Sequence, residues 1–391
     1  MKYVVVILGS LISISYAFLS STPMEKSSIG RNFYLYRFSA LQAKKSKAKK
    51  NSGSKGGFGK STKSLTKFEA DEAATFLEEA NGNLDMAQAL HFQRSIDSLQ
   101  QTDQSMYAEL QELSRQQQQQ SAANKKAPVV PSAAREKLVE LTWDSVASFM
   151  KSEATRKKPT GASATRSKTP GGGSPVLQEK LRRIARACLQ KESSTFSVLD
   201  VGCGDGAIVP YLEDIGATRY VGIDLSSCMI QRARRLWGEG VEETPMSRSF
   251  LQGSFLASSS DDQVANAVAN MGSFDTILFN GSLQFFDDYE RVLRCAASLL
   301  KSSGQFEEKV GRVVISHANG AAFVQDEHRG SPLIAISTMP SVADLEDLLR
   351  RISDVRPTKV VTPEMLASVD GGSAIELDEF YLCACEWQAV R

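Results

Sequence analysis

Apolar residues recur along this chain with two periods, and the change from one to the other divides it. Phe68, Ala73, Phe76, Leu77, Leu84, Ala87, Leu90 and Phe92 follow roughly helical spacing, broken at Asn81-Gly82-Asn83, which predicts two short helices joined by a turn. A longer helix carrying Met106, Leu110 and Leu113 runs into the Gln116 to Gln120 tract, read as a solvated helix end. Residues 121–134 and 152–175 are rich in Ala, Ser, Lys, Gly and Pro, and they bracket one more helix around Leu138 to Met150 as linkers.

From Val176 the pattern changes to short apolar runs alternating with helical stretches. An amphipathic helix, Leu177 to Cys188, leads into the strand Phe196 to Val201, a glycine turn and a helix through Leu212. Further strands are predicted at Tyr220 to Asp224, Phe250 to Gly253, Asp275 to Phe279 and Arg312 to Ser316, with helices at Ser227 to Trp237, Tyr289 to Leu300, Ala321 to Glu327 and Leu345 to Ile352. Ile375 to Leu377 and Phe380 to Trp387 read as two strands turning at Asp378-Glu379, with Lys359 to Val361 competing for the sixth position. Such alternation implies an α/β, doubly wound, mostly parallel sheet of Rossmann-like type, preceded by a helical and partly disordered N-terminal region.

With 391 residues, 42% of them hydrophobic and 23% charged, the chain can bury at least one full core, which excludes a wholly disordered or fibrous protein. The net charge of +1 conceals a division: Lys26 to Lys67 holds about twelve basic residues and no acid, so everything from Glu69 onward carries roughly −11. Lys2 and the apolar run Tyr3 to Ala17, ending in Ser15-Tyr16-Ala17, have the form of a signal peptide, and the Ser-, Lys- and Arg-rich stretch that follows has that of a transit peptide. Together, residues 1–17 and 18–67 resemble the bipartite leaders of algal secondary plastids, in which a Phe such as Phe18 follows the cleavage point. The expected address is the plastid, the alternatives being a mitochondrial or other intracellular organelle or a signal anchor. No stable membrane insertion of the mature form is expected. Six cysteines, Cys188, Cys203, Cys228, Cys295, Cys383 and Cys385, lack CxxC or zinc spacing and are read as reduced thiols, with no metal.

The chemistry concentrates at Gly202-Cys203-Gly204-Asp205-Gly206. In doubly wound sheets ligands sit beyond the carboxyl ends of the strands, where this turn lies. A dinucleotide turn is usually spaced G-x-G-x-x-G, whereas here the spacing is G-x-G-x-G, with Asp200 two residues ahead of the first glycine. That acid would repel a phosphate and suit a cation. Asp224, 24 residues after Asp200, ends the second strand and is placed to accept hydrogen bonds from ribose hydroxyls. Cys203 reads as a small turn filler, and Asp205 as a cap of the next helix.

At Val198-Leu199-Asp200-Val201-Gly202-Cys203-Gly204-Asp205-Gly206, Tyr220-Val221-Gly222-Ile223-Asp224-Leu225-Ser226, Met229 with Ala233, and Phe274-Asp275-Thr276-Ile277-Leu278, the chain resembles the class I, seven-strand S-adenosylmethionine-dependent methyltransferases. The resemblance covers residues 176–391 and is similar in its local pattern to plastid-type members of plants and algae. It implies a seven-strand sheet with an antiparallel C-terminal hairpin and S-adenosyl-L-methionine as cofactor. By the same resemblance Asp200, Gly202 and Gly204 would border the methionine end, Asp224 the ribose, Ser254 the adenine and Asn280 the region near the transferable methyl, with Cys203, Leu225 and Gly253 also cofactor-binding. Ser254 stands where the family often carries an acid, so the side-chain contact to adenine departs from the pattern.

Methyl transfer is an in-line displacement in which alignment does most of the work, and a base is needed only for a protonated acceptor. His317, at the carboxyl end of the fifth strand, is the candidate general base or substrate contact; the alternative is a hydrogen-bonded structural histidine. The part from Val176 carries about −9, which favours a small-molecule acceptor over nucleic acid. An RNA or protein methyltransferase using the basic linker at Lys157, Lys158, Arg166 and Lys168 is the alternative, and a non-catalytic partner protein that keeps the fold is the third reading.

Overall fold

A computed structural model describes residues 75–82, 84–121, 132–149, 175–189, 195–238, 246–256, 263–300, 310–352, 356–361 and 380–388. The leader, the basic linker and the proposed strand Ile375 to Leu377 lie outside the described residues.

Three long helices come first: α1 (Leu84–Thr102), α2 (Gln104–Ser121) and α3 (Ser132–Phe149). The predicted turn is present, with Asn81 and Gly82 at φ of 51° and 78° after a single helical turn at residues 75–79, but the second of the two short helices extends over 19 residues. Phe92, Ile96, Leu110, Leu113, Leu138 and Leu141 bury one another in a small core that also contacts Leu333 and Ile334. The N-terminal helices are thereby fastened to the sheet domain.

Among the described residues the sheet has seven strands in the order β3-β2-β1-β4-β5-β7-β6. These are β1 (Phe196–Val201), β2 (Ala217–Asp224), β3 (Ser247–Gln252), β4 (Thr276–Asn280), β5 (Val310–His317), β6 (Arg356–Val361) and β7 (Tyr381–Gln388). The pairs among β1 to β5 are parallel, while β7 runs antiparallel to both neighbours. The strands beside β7 are therefore β5 and Arg356–Val361, the latter including Lys359 to Val361, the segment that competed for the sixth position.

Alternation along each strand sorts the side chains between two faces. Val198, Tyr220, Leu278, Val314 and Ala384 pack against α4 (Pro175–Cys188), α5 (Val209–Asp214) and α6 (Ser227–Trp237). Leu199, Val221, Ile277, Val313, Cys383 and Cys385 face α7 (Gln263–Asn270), α8 (Tyr289–Leu299), α9 (Gly320–Gly330) and α10 (Val342–Arg351). Cys383 and Cys385 are buried within that core, as packing residues should be. Asp275, within the motif Phe274 to Leu278, is structural. Its Oδ2 accepts the Ser197 N–H at 2.8 Å and hydroxyl at 2.6 Å, lacing β4 to β1. The strand order reverses between β1 and β4, so the groove for a ligand opens beyond their carboxyl ends.

Candidate functional site

The turn after β1 is shaped by positive φ angles of 74° at Gly202, 54° at Gly204 and 76° at Gly206, a region that L side chains rarely adopt. Gly202 is further constrained because a Cβ there would lie 2.4 Å from that of Ser282, in the segment that follows β4. At Gly204 a Cβ would meet nothing within 4 Å, so this side of the turn is open to a ligand.

Asp224 closes the turn from the end of β2. Its Oδ2 accepts the Gly204 N–H and its Oδ1 the Ser226 N–H, each at 2.8 Å. Burial pushes its pKa up to about 6; the two N–H donors pull the other way, and the charges of Asp144 and Asp205 add to the rise. At neutral pH the group is mainly ionised and, having about four acceptor sites, keeps capacity for further donors.

Asp200 is enclosed beneath the turn, 1% exposed, with Oδ2 accepting the Tyr220 hydroxyl at 2.8 Å and Oδ1 left without a protein partner. Burial pushes its pKa to about 7, against the Tyr220 hydrogen bond and with a smaller contribution from the Asp224 charge. Cys203 is also buried and its thiol is pushed well up, first by burial and then by the Asp224, Asp200 and Asp205 charges, so it is inert and packs the turn. Asp205 does not cap α5, whose N-cap position is Ile208 with no side-chain cap. It pairs instead with the Arg232 Nε of α6 at 2.9 Å, because the turn faces that helix.

The remaining cofactor candidates lie along the same groove. Leu225 follows Asp224 directly and precedes the α6 N-cap Ser226, whose hydroxyl accepts the Met229 N–H. The Gly253 N–H donates to the Asp224 carbonyl at 2.9 Å, holding the end of β3 beside β2. Asn280 Oδ1 accepts the Ser316 hydroxyl at 3.1 Å across β4 and β5. His317, 7% exposed, stacks on Phe323 with centroids 5.4 Å apart, and its Nε2 is 4.0 Å from where a Gly281 Cβ would be. Its Nδ1 accepts the Asn319 N–H at 3.3 Å, which puts the ring proton on Nε2. Burial, followed by the nearby Lys180 ammonium, pushes its pKa down to about 4, so the ring is neutral at physiological pH. Lys180 itself is buried and donates to the Ala318 carbonyl at 2.6 Å.

Two groups of residues were not foreseen. Gln284 Nε2 donates to the Gly281 carbonyl at 3.0 Å, and Glu327 nearby has its pKa pushed up to about 7 by burial, the Gln284 amide pulling the other way. The larger surprise is α3. Its Asp144 accepts the Ser226 hydroxyl at 2.6 Å, and its Glu136 accepts the Ser254 hydroxyl at 2.9 Å. Arg135 pairs with Asp287 at 2.6 Å, and Trp143 meets Phe285 edge-on at 6.1 Å. The helix read as a linker element thus bridges both walls of the groove, the loops after β2 and β3 on one side and the loop after β4 on the other. Periodicity could not report this, since the partners are 82 to 152 residues away in sequence.

Residues 175–315 match the family profile described as "Methyltransferase domain". Solved structures similar to part of the chain include the YcgJ protein of Bacillus subtilis, at 13% identity over 55% of this chain and 100% of that one, TM-score 0.35. A second is magnesium protoporphyrin IX methyltransferase of Synechocystis PCC 6803 with bound SAH, at 16% identity over 55% and 83%, TM-score 0.35. An S-adenosylmethionine-dependent methyltransferase of Mesorhizobium loti is similar at 18% identity over 54% and 99%, TM-score 0.36. No curated protein matches this sequence.

Proposed function

We propose that this protein transfers a methyl group from S-adenosyl-L-methionine to a small-molecule acceptor. The observation that carries the reading is the Asp224 carboxylate held against the open Gly204 turn at 2.8 Å, at the point where the strand order reverses. The donor set fits the cofactor. Asp224 retains acceptor capacity for ribose hydroxyls, and the orphan Oδ1 of Asp200 beneath the glycine turn suits an ammonium rather than a phosphate. When bound, the cofactor supplies an electrophilic methyl on a sulfonium centre.

The chain's own residues then bind and align. Gly202 and Gly204 admit close backbone approach, and Asn280, fixed by Ser316, borders the acceptor side. His317, neutral and carrying its proton on Nε2, donates a hydrogen bond to the acceptor there; a pKa near 4 suits it better to that contact than to general-base work. A small acceptor is favoured because α3 covers the groove from wall to wall and because the chain from Val176 is acidic.

Calorimetry of the full chain with S-adenosylhomocysteine tests the reading. Binding is expected, and Asp224→Ala should weaken it by about 1.5 to 3 kcal/mol, the range for hydrogen bonds to a charged group. No binding to folded protein would overturn the cofactor assignment. Salt-sensitive RNA binding that disappears on deletion of residues 151–170 would overturn the small-molecule assignment. We further propose a plastid address, supported by the two-part composition of residues 1–67.

A further inference from the structure

We propose that Glu136, brought into the groove by α3, acts with Ser254 as the acceptor for the exocyclic amine of the cofactor's adenine, so that the N-terminal helix reads the base. This rests on the S-adenosylmethionine reading above. A ribose held at Asp224 can send its base along the sheet edge in two directions. Toward β1 the way is taken by the glycine turn, whose Gly204 N–H already lies on the Asp224 carboxylate at 2.8 Å. Toward β3 the groove continues: Asp224 is in register with Gln252, the Gly253 N–H holds the two strand ends together, and Ser254 follows.

At that position the Ser254 hydroxyl donates to Glu136 Oε1 at 2.9 Å. A serine hydroxyl both donates and accepts, and so cannot distinguish an amine from a carbonyl. A carboxylate only accepts, and it demands a donor of whatever lies against it. Its several acceptor sites allow it to serve Ser254 and a ligand amine together. Glu136 is also held in place. Arg135 beside it is anchored to Asp287, and two turns along α3, on the same side as Glu136, Asp144 is bonded to Ser226 and to the Cys228 N–H.

The test compares S-adenosylhomocysteine with its 6-oxo counterpart, S-inosylhomocysteine, by calorimetry on the full chain. The unaltered protein should prefer the amine by about 10- to 100-fold, the range expected when a carboxylate acceptor faces a carbonyl oxygen at position 6 in place of a donor. Glu136→Gln, whose carboxamide can donate to a 6-oxo group, should lose about tenfold in affinity for the adenosyl compound and bring the two ligands close to parity. Glu136→Asp, with the charge kept and the reach shortened, should preserve a reduced preference, and thermal melting of each variant shows that it is folded. Adenosyl binding with discrimination unchanged in Glu136→Gln, or tighter adenosyl binding in that variant, would overturn the Glu136 assignment and leave the cofactor reading standing. Failure of the unaltered protein to bind either ligand would remove the cofactor reading itself.

Discussion

Asp144 Oδ1 accepts the Ser226 hydroxyl at 2.6 Å and the Cys228 N–H at 3.1 Å, so a carboxylate from α3 binds the N terminus of α6. The Ser226 oxygen in turn accepts the Met229 N–H at 3.0 Å, so the hydroxyl serves as cap and as link at once. A carboxylate at a helix N terminus is also favoured by the helix dipole. Asp144→Ala should therefore destabilise the docked state of α3 by about 1 to 3 kcal/mol. Hydrogen exchange of residues 132–149 should accelerate while amides of β1 and β4 stay protected. Unchanged exchange across α3 would show that the helix is held by other contacts.

His317 makes stability depend on pH in a defined direction. Its folded pKa, about 4, lies below its ordinary 6.5. As pH falls below 6.5 the unfolded chain takes up a proton that the folded one refuses, so this contribution is fully present above 6.5 and lost progressively toward pH 4. The loss is about 2 to 3 kcal/mol. Asp200, Asp224 and Glu327, all raised by burial, act in the opposite sense at the acid end, so the difference between unaltered protein and His317→Gln is the quantity to measure. Relative to the variant, the unaltered protein should lose that amount of denaturant stability between pH 6.5 and 4, and a difference that does not change with pH would contradict a buried neutral imidazole.

Gly222 on β2 leaves room for the side chain that fills the turn. A Cβ at this position would lie 2.8 Å from Cys203 Sγ and 3.1 Å from the Tyr220 ring. Gly222→Ala should cost about 1 to 3 kcal/mol by overpacking. Adding Cys203→Ala should recover part of that cost, because Sγ, the nearest obstructing atom, is removed while the Cβ at 3.0 Å stays, and a double-mutant cycle should give a coupling of about 1 kcal/mol. Strict additivity would mean that the strand moves away instead of the thiol.

The leader is testable apart from the fold. A reporter joined to residues 1–70 should reach the plastid of an alga with a secondary plastid, and Phe18→Ala should halt it earlier on the import route. Secretion of the reporter would overturn the bipartite reading.

What the amino-acid order determined by itself was the sheet domain. The apolar run Phe196–Val201, the glycines after it and the acid ending the next strand are local signals, since strand burial, turn geometry and a strand-end carboxylate are each settled within a few residues. They were sufficient to place Asp200, Gly202, Gly204 and Asp224 around one turn and to predict Rossmann-like winding. The pairing of β6 with β7 was the one left ambiguous, because Arg356–Val361 and Tyr381–Gln388 are joined through an intervening segment that no turn signal at Asp378-Glu379 could resolve.

Tertiary structure alone decided how the acids divide their work. Asp200 faces Tyr220 and Asp205 faces Arg232 because strand alternation and helix packing direct them there, and neither partner is visible from turn composition. It also decided the fate of α3. The helix was legible from its apolar spacing, but Glu136 and Asp144 look like ordinary solvated charges on such a helix. They become part of the groove wall because the small N-terminal core docks on Leu333 and Ile334 and carries α3 across the strand ends, a placement set by contacts between residues far apart in the chain.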